Sequence, residues 1–223
     1  MRSVEMMSCR ALLLCALVAG MAGCASVKEA AQSAQQAVAA GVAPVVPTAS
    51  AVAAPIDAAT QRAFDDALRL MRAGRNDEAE RALRALAQTR AELGGVHANL
   101  GLIYRQAGKA TESVAAFEQA VRVSPEQAVF HNQLGIAYRQ QGQFKPAQVA
   151  YERAIALDAS YAAAQLNLAI LHDMYLGDSA RALELYERYL ALPTQKDAAV
   201  TKWVAELKNR KPEQQLASKK VPS

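Results

Sequence analysis

Residues 99–125 read NLGLIYRQAGKATESVAAFEQAVRVSP, and residues 133–159 read QLGIAYRQQGQFKPAQVAYERAIALDA. Both stretches contain Leu-Gly, then Tyr-Arg-Gln, then a glycine, then an aromatic ring, and they are offset by 34 residues. Each half carries apolar residues at helical spacing. The glycine between the halves allows a sharp turn, for which we expect a positive φ. The stretch therefore predicts a helical hairpin that is repeated along the chain.

Equivalent residues extend this pattern over residues 60–196. The turn row is Gly74, Gly108, Gly142 and Gly177, spaced 34, 34 and 35 residues apart. A row of small residues consists of Ala67, Gly101, Gly135 and Ala169, and a row of large residues consists of Leu83, Phe117, Tyr151 and Tyr186. We expect the small residues to let the two helices of a hairpin approach closely while the large residues fill the space between them. The fourth unit carries one extra residue near Met174–Asp178.

These rows resemble the tetratricopeptide repeat, which has a period of about 34 residues. The resemblance implies an all-α fold, a right-handed superhelical solenoid of about four hairpins. The four units are residues 60–93, 94–127, 128–161 and 162–196. Ser124-Pro125-Glu126-Gln127 predicts a capping box at a helix start. Residues 197–210 predict an amphipathic helix that caps the apolar end of the stack, with Trp203 inserted into that end.

The N-terminus has the features of a targeting signal. Residues 11–22, ALLLCALVAGMA, form an apolar run that is too short to span about 30 Å of hydrocarbon but is typical of a signal peptide over residues 1–23. The run ends in Met21-Ala22-Gly23-Cys24, which resembles the bacterial lipobox Leu-Ala-Gly-Cys. The resemblance implies cleavage before Cys24, lipidation of Cys24, and an anchor in the outer membrane facing the periplasm. An ordinary signal peptide is the alternative.

The segments outside the repeats predict a spacer and a tail. Residues 24–59 are rich in alanine and proline, which predicts a tether between the lipidated cysteine and the repeats. Residues 60–196 hold 16 basic and 15 acidic side chains, so the net charge of +4 comes mainly from the C-terminal end. We expect residues 211–223 to form a basic, disordered tail. A folded region without a basic face predicts no nucleic-acid partner.

The sequence shows no signature of catalysis. The repeat region lacks cysteines, phosphate-binding glycine loops and nucleophile motifs. His97, His131 and His172 leave open a metal-binding alternative, but packing between helices explains them more simply. The sequence therefore predicts a protein with no catalytic residue, no cofactor and no metal.

A binding groove follows from the resemblance. In tetratricopeptide proteins one face of each first helix lines a concave surface that holds extended peptides or helices. The positions carried over to this chain are Asn99, Leu102, Arg105, Gln133, Ile136, Arg139, Asn167 and Asp173. Amides there would hydrogen-bond a partner's backbone, and Arg105 and Arg139 would meet acidic side chains or a C-terminal carboxylate. Convex faces and solenoid ends are alternative binding surfaces.

These features predict a membrane-anchored scaffold or assembly factor of the bacterial cell envelope, which binds envelope proteins. Assembly of a pilus or a secretion machine, or an adaptor role for envelope enzymes, fits this class. A periplasmic holdase-type chaperone for extended peptides is the alternative. The oligomeric state stays open.

Overall fold

The computed structural model describes residues 56–193 and 195–209. These residues form nine α-helices and no strand, which confirms the all-α prediction. The helices are α1 Ala58–Arg72, α2 Asn76–Thr89, α3 Gly94–Gln106, α4 Ala110–Val123, α5 Ala128–Gln140, α6 Phe144–Leu157, α7 Ala162–Leu171, α8 Ser179–Ala191 and α9 Ala198–Asn209. Within this part of the chain, no helix is long and apolar enough to cross a membrane.

The helices pack as four consecutive hairpins, α1–α2, α3–α4, α5–α6 and α7–α8. Each second helix also contacts the first helix of the next hairpin. In addition, α3 contacts α5, and α5 contacts α7, so the first helices lie side by side. This arrangement is the stacked solenoid that the repeat predicts.

The turn between the two helices of each hairpin depends on a glycine. Gly74, Gly108, Gly142 and Gly177 have φ values of 72°, 71°, 74° and 65°, which confirms the predicted left-handed turn. Side chains with a Cβ rarely adopt this conformation. The repeated glycines therefore fix where each hairpin reverses.

Close approach of paired helices comes from the row of small residues. A Cβ added at Gly101 would lie 2.9 Å from ring atoms of Phe117, and one added at Gly135 would lie 2.5 Å from Cε1 of Tyr151. Both rings are fully buried. In the first repeat the equivalent residues are Ala67 and Leu83, which belong to one buried cluster.

Polar contacts join neighbouring repeats. Nε of Arg84 donates to Oη of Tyr104 at 3.0 Å, and Oη of Tyr138 donates to Oε1 of Glu118 at 2.6 Å. Burial and the hydrogen bond to Glu118 raise the pKa of Tyr138 to about 12. The two tyrosines are equivalent, and each contacts the second helix of the preceding hairpin, so this row helps to set the stacking register.

The extra residue of the fourth unit is absorbed as a short π-helix, His172–Leu176. A single inserted residue widens one helical turn in this way because the backbone hydrogen bonds shift from i−4 to i−5. Gly177 then restores the left-handed turn before α8. The insertion therefore alters the end of the first helix while the hairpin itself is kept.

The predicted capping box at Ser124 is wrong. Helix α5 begins at Ala128, and its N-cap residue Gln127 makes no capping bond with its side chain. Ser124 instead ends α4, where its N–H donates to the carbonyl of Ala120. Its side chain packs against Gly94, so it is not turned toward the start of α5. The Ser124-Pro125 pair therefore follows the end of α4 and does not cap the start of α5.

The C-terminal helix α9 packs on α8. Val200, Val204 and Leu207 are its buried side chains. Trp203 is only partly buried and contacts the ring of Tyr186 at a centroid distance of 5.7 Å. The capping helix is therefore seated by aliphatic side chains together with Trp203, which packs on the buried ring of Tyr186 but is not itself fully buried.

Gly135→Ala is expected to lower the free energy of unfolding by about 1–3 kcal/mol, because the new methyl group overlaps the Tyr151 ring. The double variant Gly135→Ala/Tyr151→Leu reproduces the Ala67 and Leu83 pair and should recover part of this loss. Urea unfolding followed by circular dichroism measures both variants. A single variant as stable as the wild type would contradict the close-approach interpretation.

Candidate protein-binding groove

The eight residues carried over to the groove lie on the first helices and on the π-helix that extends the last of them. Most of these side chains are buried, namely Asn99, Leu102, Gln133, Ile136, Arg139 and Asn167. Arg105 and Asp173 are partly buried. The row is therefore much less exposed than the resemblance implies.

Two of the predicted amide side chains already donate a hydrogen bond to another group of the chain. Nδ2 of Asn99 donates to the carbonyl of Gly95 at 2.7 Å, and Nδ2 of Asn167 donates to Oδ1 of Asn132 at 3.0 Å. Asn99 and Leu102 have no exposed surface. The structure therefore does not present Asn99 and Leu102 to a partner, and it uses the Nδ2 donors of Asn99 and Asn167 within the chain.

The two arginines are the distinctive members of the row. Nη1 of Arg105 donates to Oε1 of Gln133 at 2.6 Å, and its guanidinium carbon lies 6.0 Å from the centroid of Phe117. The guanidinium carbon of Arg139 lies 5.9 Å from the centroid of Tyr175. Both cations are thus held against aromatic rings, which is a favourable arrangement for a guanidinium.

Tyr175 is placed by the inserted residue of the fourth repeat. It lies in the π-helix, and its ring packs on Phe144 at a centroid distance of 4.8 Å. The same ring contacts Arg139. The π-helix therefore contributes directly to the surroundings of this arginine.

Tyr151 completes the group. Its side chain is fully buried, and its hydroxyl has no hydrogen-bond partner among the described residues. Burial raises the pKa of Tyr151, while the positive charges of Arg139 and Arg105 act in the opposite direction. Its ring packs on Gly135, one helical turn before Arg139 on α5. We call Arg105, Gln133, Arg139 and Tyr151 the arginine cluster.

Carboxylates are missing from the arginine cluster. Within the described residues, the ion pairs of other arginines include Arg75 with Glu78 at 2.6 Å and Arg153 with Glu126 at 3.3 Å. Burial lowers the pKa of Arg105, Tyr151 opposes this effect, and the charge of Arg139 adds to it. Its guanidinium still carries a full charge at neutral pH.

The positions equivalent to Arg105 and Arg139 in the first and fourth repeats carry no positive charge. Met71 occupies the equivalent position in the first repeat, and Asp173 occupies it in the fourth. Oη of Tyr186 contacts Oδ2 of Asp173 at 3.5 Å. The cluster is therefore confined to the second and third repeats.

Comparison with known proteins identifies the repeat. Family models described as tetratricopeptide repeat match residues 96–160 and 132–200. The chain carries tetratricopeptide repeats. No curated protein sequence matches the chain.

Solved tetratricopeptide structures share the fold. A MamA structure is 22% identical, with a TM-score of 0.60, and the match covers 71% of this chain and 87% of that one. PilF of Pseudomonas aeruginosa is 17% identical, with a TM-score of 0.62, covering 74% and 78%. MamA of Desulfovibrio magneticus RS-1 is 16% identical, with a TM-score of 0.62, covering 74% and 91%. At these identities the likeness concerns the fold.

The histidines of the tetratricopeptide repeats make structural contacts. Nε2 of His97 bonds the carbonyl of Ala91, and Nε2 of His131 bonds the carbonyl of Pro125, each at 2.8 Å. His172 is buried, its ring nitrogens make no hydrogen bond to the described residues, and its Nδ1 lies 3.7 Å from Oδ2 of Asp178. Among the described residues, no group of three histidine, cysteine or acidic side chains is arranged to hold a metal ion.

Tyr151 and Tyr175 are the site residues that the sequence did not predict. Tyr151 belongs to the row of large core residues, so its pattern predicts packing and gives no sign of a hydroxyl without a partner. Tyr175 follows the inserted residue, which removes it from the repeat register. The only sequence signal for Tyr175 is the spacing of 35 between Gly142 and Gly177.

Tyr151→Phe is expected to leave the free energy of unfolding unchanged or to raise it by about 1–2 kcal/mol, because it removes a buried hydroxyl without a partner. The matched control is Tyr138→Phe, whose hydroxyl bonds Glu118. That change should lower the free energy of unfolding by about 1 kcal/mol. Urea unfolding measures both variants, and a clear loss of stability in Tyr151→Phe would show that its hydroxyl is satisfied within the chain.

Proposed function

We propose that this protein is a membrane-anchored scaffold of the bacterial cell envelope that binds partner proteins along its first helices. Stacked tetratricopeptide repeats bind protein partners and are generally not catalytic. The observation that carries the proposal is the contact of α3 with α5 and of α5 with α7, which lines up equivalent residues of successive repeats. Such a row matches the regular spacing of an extended peptide or a helix.

The anchor is proposed from the N-terminal sequence. Cys24 follows an apolar run and two small residues, and it lies outside the described residues. A cysteine carrying several acyl chains holds a protein firmly at a membrane, whereas one chain binds only marginally. Residues 24–59 then provide a spacer between the bilayer and the repeats, and we place the protein at the outer membrane facing the periplasm.

The class of machine is proposed from the same layout. A lipid-anchored stack of tetratricopeptide repeats suits the assembly of a pilus or a secretion machine, or an adaptor for envelope enzymes. PilF of Pseudomonas aeruginosa shares the fold, which is consistent with the first of these roles.

A crosslinked pull-down from membranes tests the scaffold function. The wild type is compared with Arg105→Glu/Arg139→Glu, and the matched control is Arg81→Glu/Arg122→Glu, which reverses two exposed arginines on α2 and α4. We expect one dominant partner that the groove variant loses and the control variant keeps, because a reversed charge repels an acidic partner. Circular dichroism verifies that each variant is folded.

Other outcomes of the pull-down have separate meanings. If both double variants keep the partner, the protein is a scaffold that binds through another face. Many weakly bound clients and no dominant partner would contradict the scaffold function and favour a holdase-type chaperone.

Cys24→Ser tests the anchor. We expect the wild type to incorporate an alkyne-labelled fatty acid and to sediment with membranes, because only the thiol of Cys24 accepts the lipid. The variant should lose both properties. Cys15→Ser is the matched control, since that cysteine lies inside the predicted signal peptide. Labelling that persists in Cys24→Ser would rule out the lipobox interpretation.

A further inference from the structure

The arginine cluster places two like charges together without an anion. Arg105 and Arg139 are equivalent residues on α3 and α5, two helices that contact each other, and Arg105 bonds Gln133 of α5. Within the part of the chain that the structure describes, neither guanidinium forms an ion pair, whereas Arg75, Arg90 and Arg188 all do. Buried cations in proteins are normally paired, because removing them from water costs free energy. An anion from outside these residues would neutralise the two unpaired positive charges.

Most N–H donors of the two arginines are available for such an anion. A guanidinium has five N–H donors that all point outward in its plane. Among the described residues, the bond from Arg105 to Gln133 is the only hydrogen bond that either guanidinium makes. Phe117 and Tyr175 lie near the two guanidinium groups and offer them no hydrogen-bond acceptor. Planar carboxylates bind guanidinium edges through such donors.

The hydroxyl of Tyr151 provides a second, independent indication of a ligand. It is fully buried and makes no hydrogen bond to the described residues, and its ring packs on Gly135, one helical turn before Arg139 on α5. A buried donor without a partner costs free energy, so such groups are rare in folded proteins. A carboxylate held by these arginines would give this hydroxyl an acceptor.

We propose that the arginine cluster binds the side-chain carboxylate of an Asp or Glu residue in a partner segment that lies along the first helices. The inference rests on the proposed function, since it names the chemistry that the groove recognises. Gln133 contributes an acceptor oxygen that already takes one donor.

The position of the arginine cluster lets the acidic residue determine the register of the partner segment along the first helices. The equivalent residues in the first and fourth repeats, Met71 and Asp173, do not attract an anion. A partner segment therefore gains the favourable pairing at one place along the groove only. The carboxylate fixes which residue of the partner lies against the second and third repeats.

A random library of short peptides tests the inference. The peptides are acetylated and amidated, so that Asp and Glu side chains are their only carboxylates. The protein selects from the library as wild type, Arg105→Gln, Arg139→Gln and Tyr151→Phe. Arg122→Gln is the matched control, because it neutralises an exposed arginine on α4. Urea unfolding verifies that each variant is folded.

We expect the wild type to enrich peptides with an acidic residue at one fixed position. Replacing that residue by its amide should weaken binding by about tenfold or more, the usual effect of a charge-assisted hydrogen bond. The preference for acid over amide should nearly vanish in Arg105→Gln and Arg139→Gln and persist in Arg122→Gln. Tyr151→Phe should reduce it by several-fold.

The opposing results separate this inference from the proposed function. Enriched peptides without an acidic position would overturn the carboxylate site while the groove function stands. The carboxylate site would also be overturned if a phosphoserine peptide bound more tightly than its glutamate equivalent, or if only peptides with a free C-terminus bound. No enriched peptide at all would count against the groove as well.

Discussion

Close approach of the two helices in each hairpin is the constraint on which the stack depends. Gly101 faces Phe117 and Gly135 faces Tyr151, and neither glycine leaves room for a Cβ. Because each ring lies directly on the opposing backbone, the hairpin has one packing distance, and successive hairpins repeat it. The first helices then line up, which brings Arg105 and Arg139 of adjacent repeats into one electrostatic environment. The same Tyr151 ring that fixes the packing carries the unpartnered hydroxyl of the cluster.

The fourth repeat shows how a small departure from the period changes the surface. One inserted residue forms a π-helix, and the turn glycine still follows it. The altered helix end places Tyr175 against Phe144 and Arg139. The row that carries arginine in two repeats carries Asp173 here. In this row, positive charge is thereby limited to the second and third repeats.

The repeat could be predicted from the sequence because its signals are local and periodic. Glycine at Gly108 and Gly142 and the small-to-large pairing identify the hairpin without any tertiary information. Burial in the groove was not predictable, since it depends on how neighbouring repeats pack, and Leu102 is fully buried as a result of that tertiary context. The capping-box pattern at Ser124 failed for a similar reason, because that side chain packs against Gly94. Tyr151 could not be distinguished from an ordinary core ring by its pattern.

The central claim is that partners bind along the first helices at the arginine cluster. Hydrogen–deuterium exchange of the protein, alone and with its captured partner, tests that claim most directly. We predict that the partner slows exchange in α3 and α5 around Arg105 and Arg139 more than in the second helices α4 and α6. Slowed exchange confined to the second helices or to α9 would contradict it and place the binding surface on the convex face or at the end of the stack.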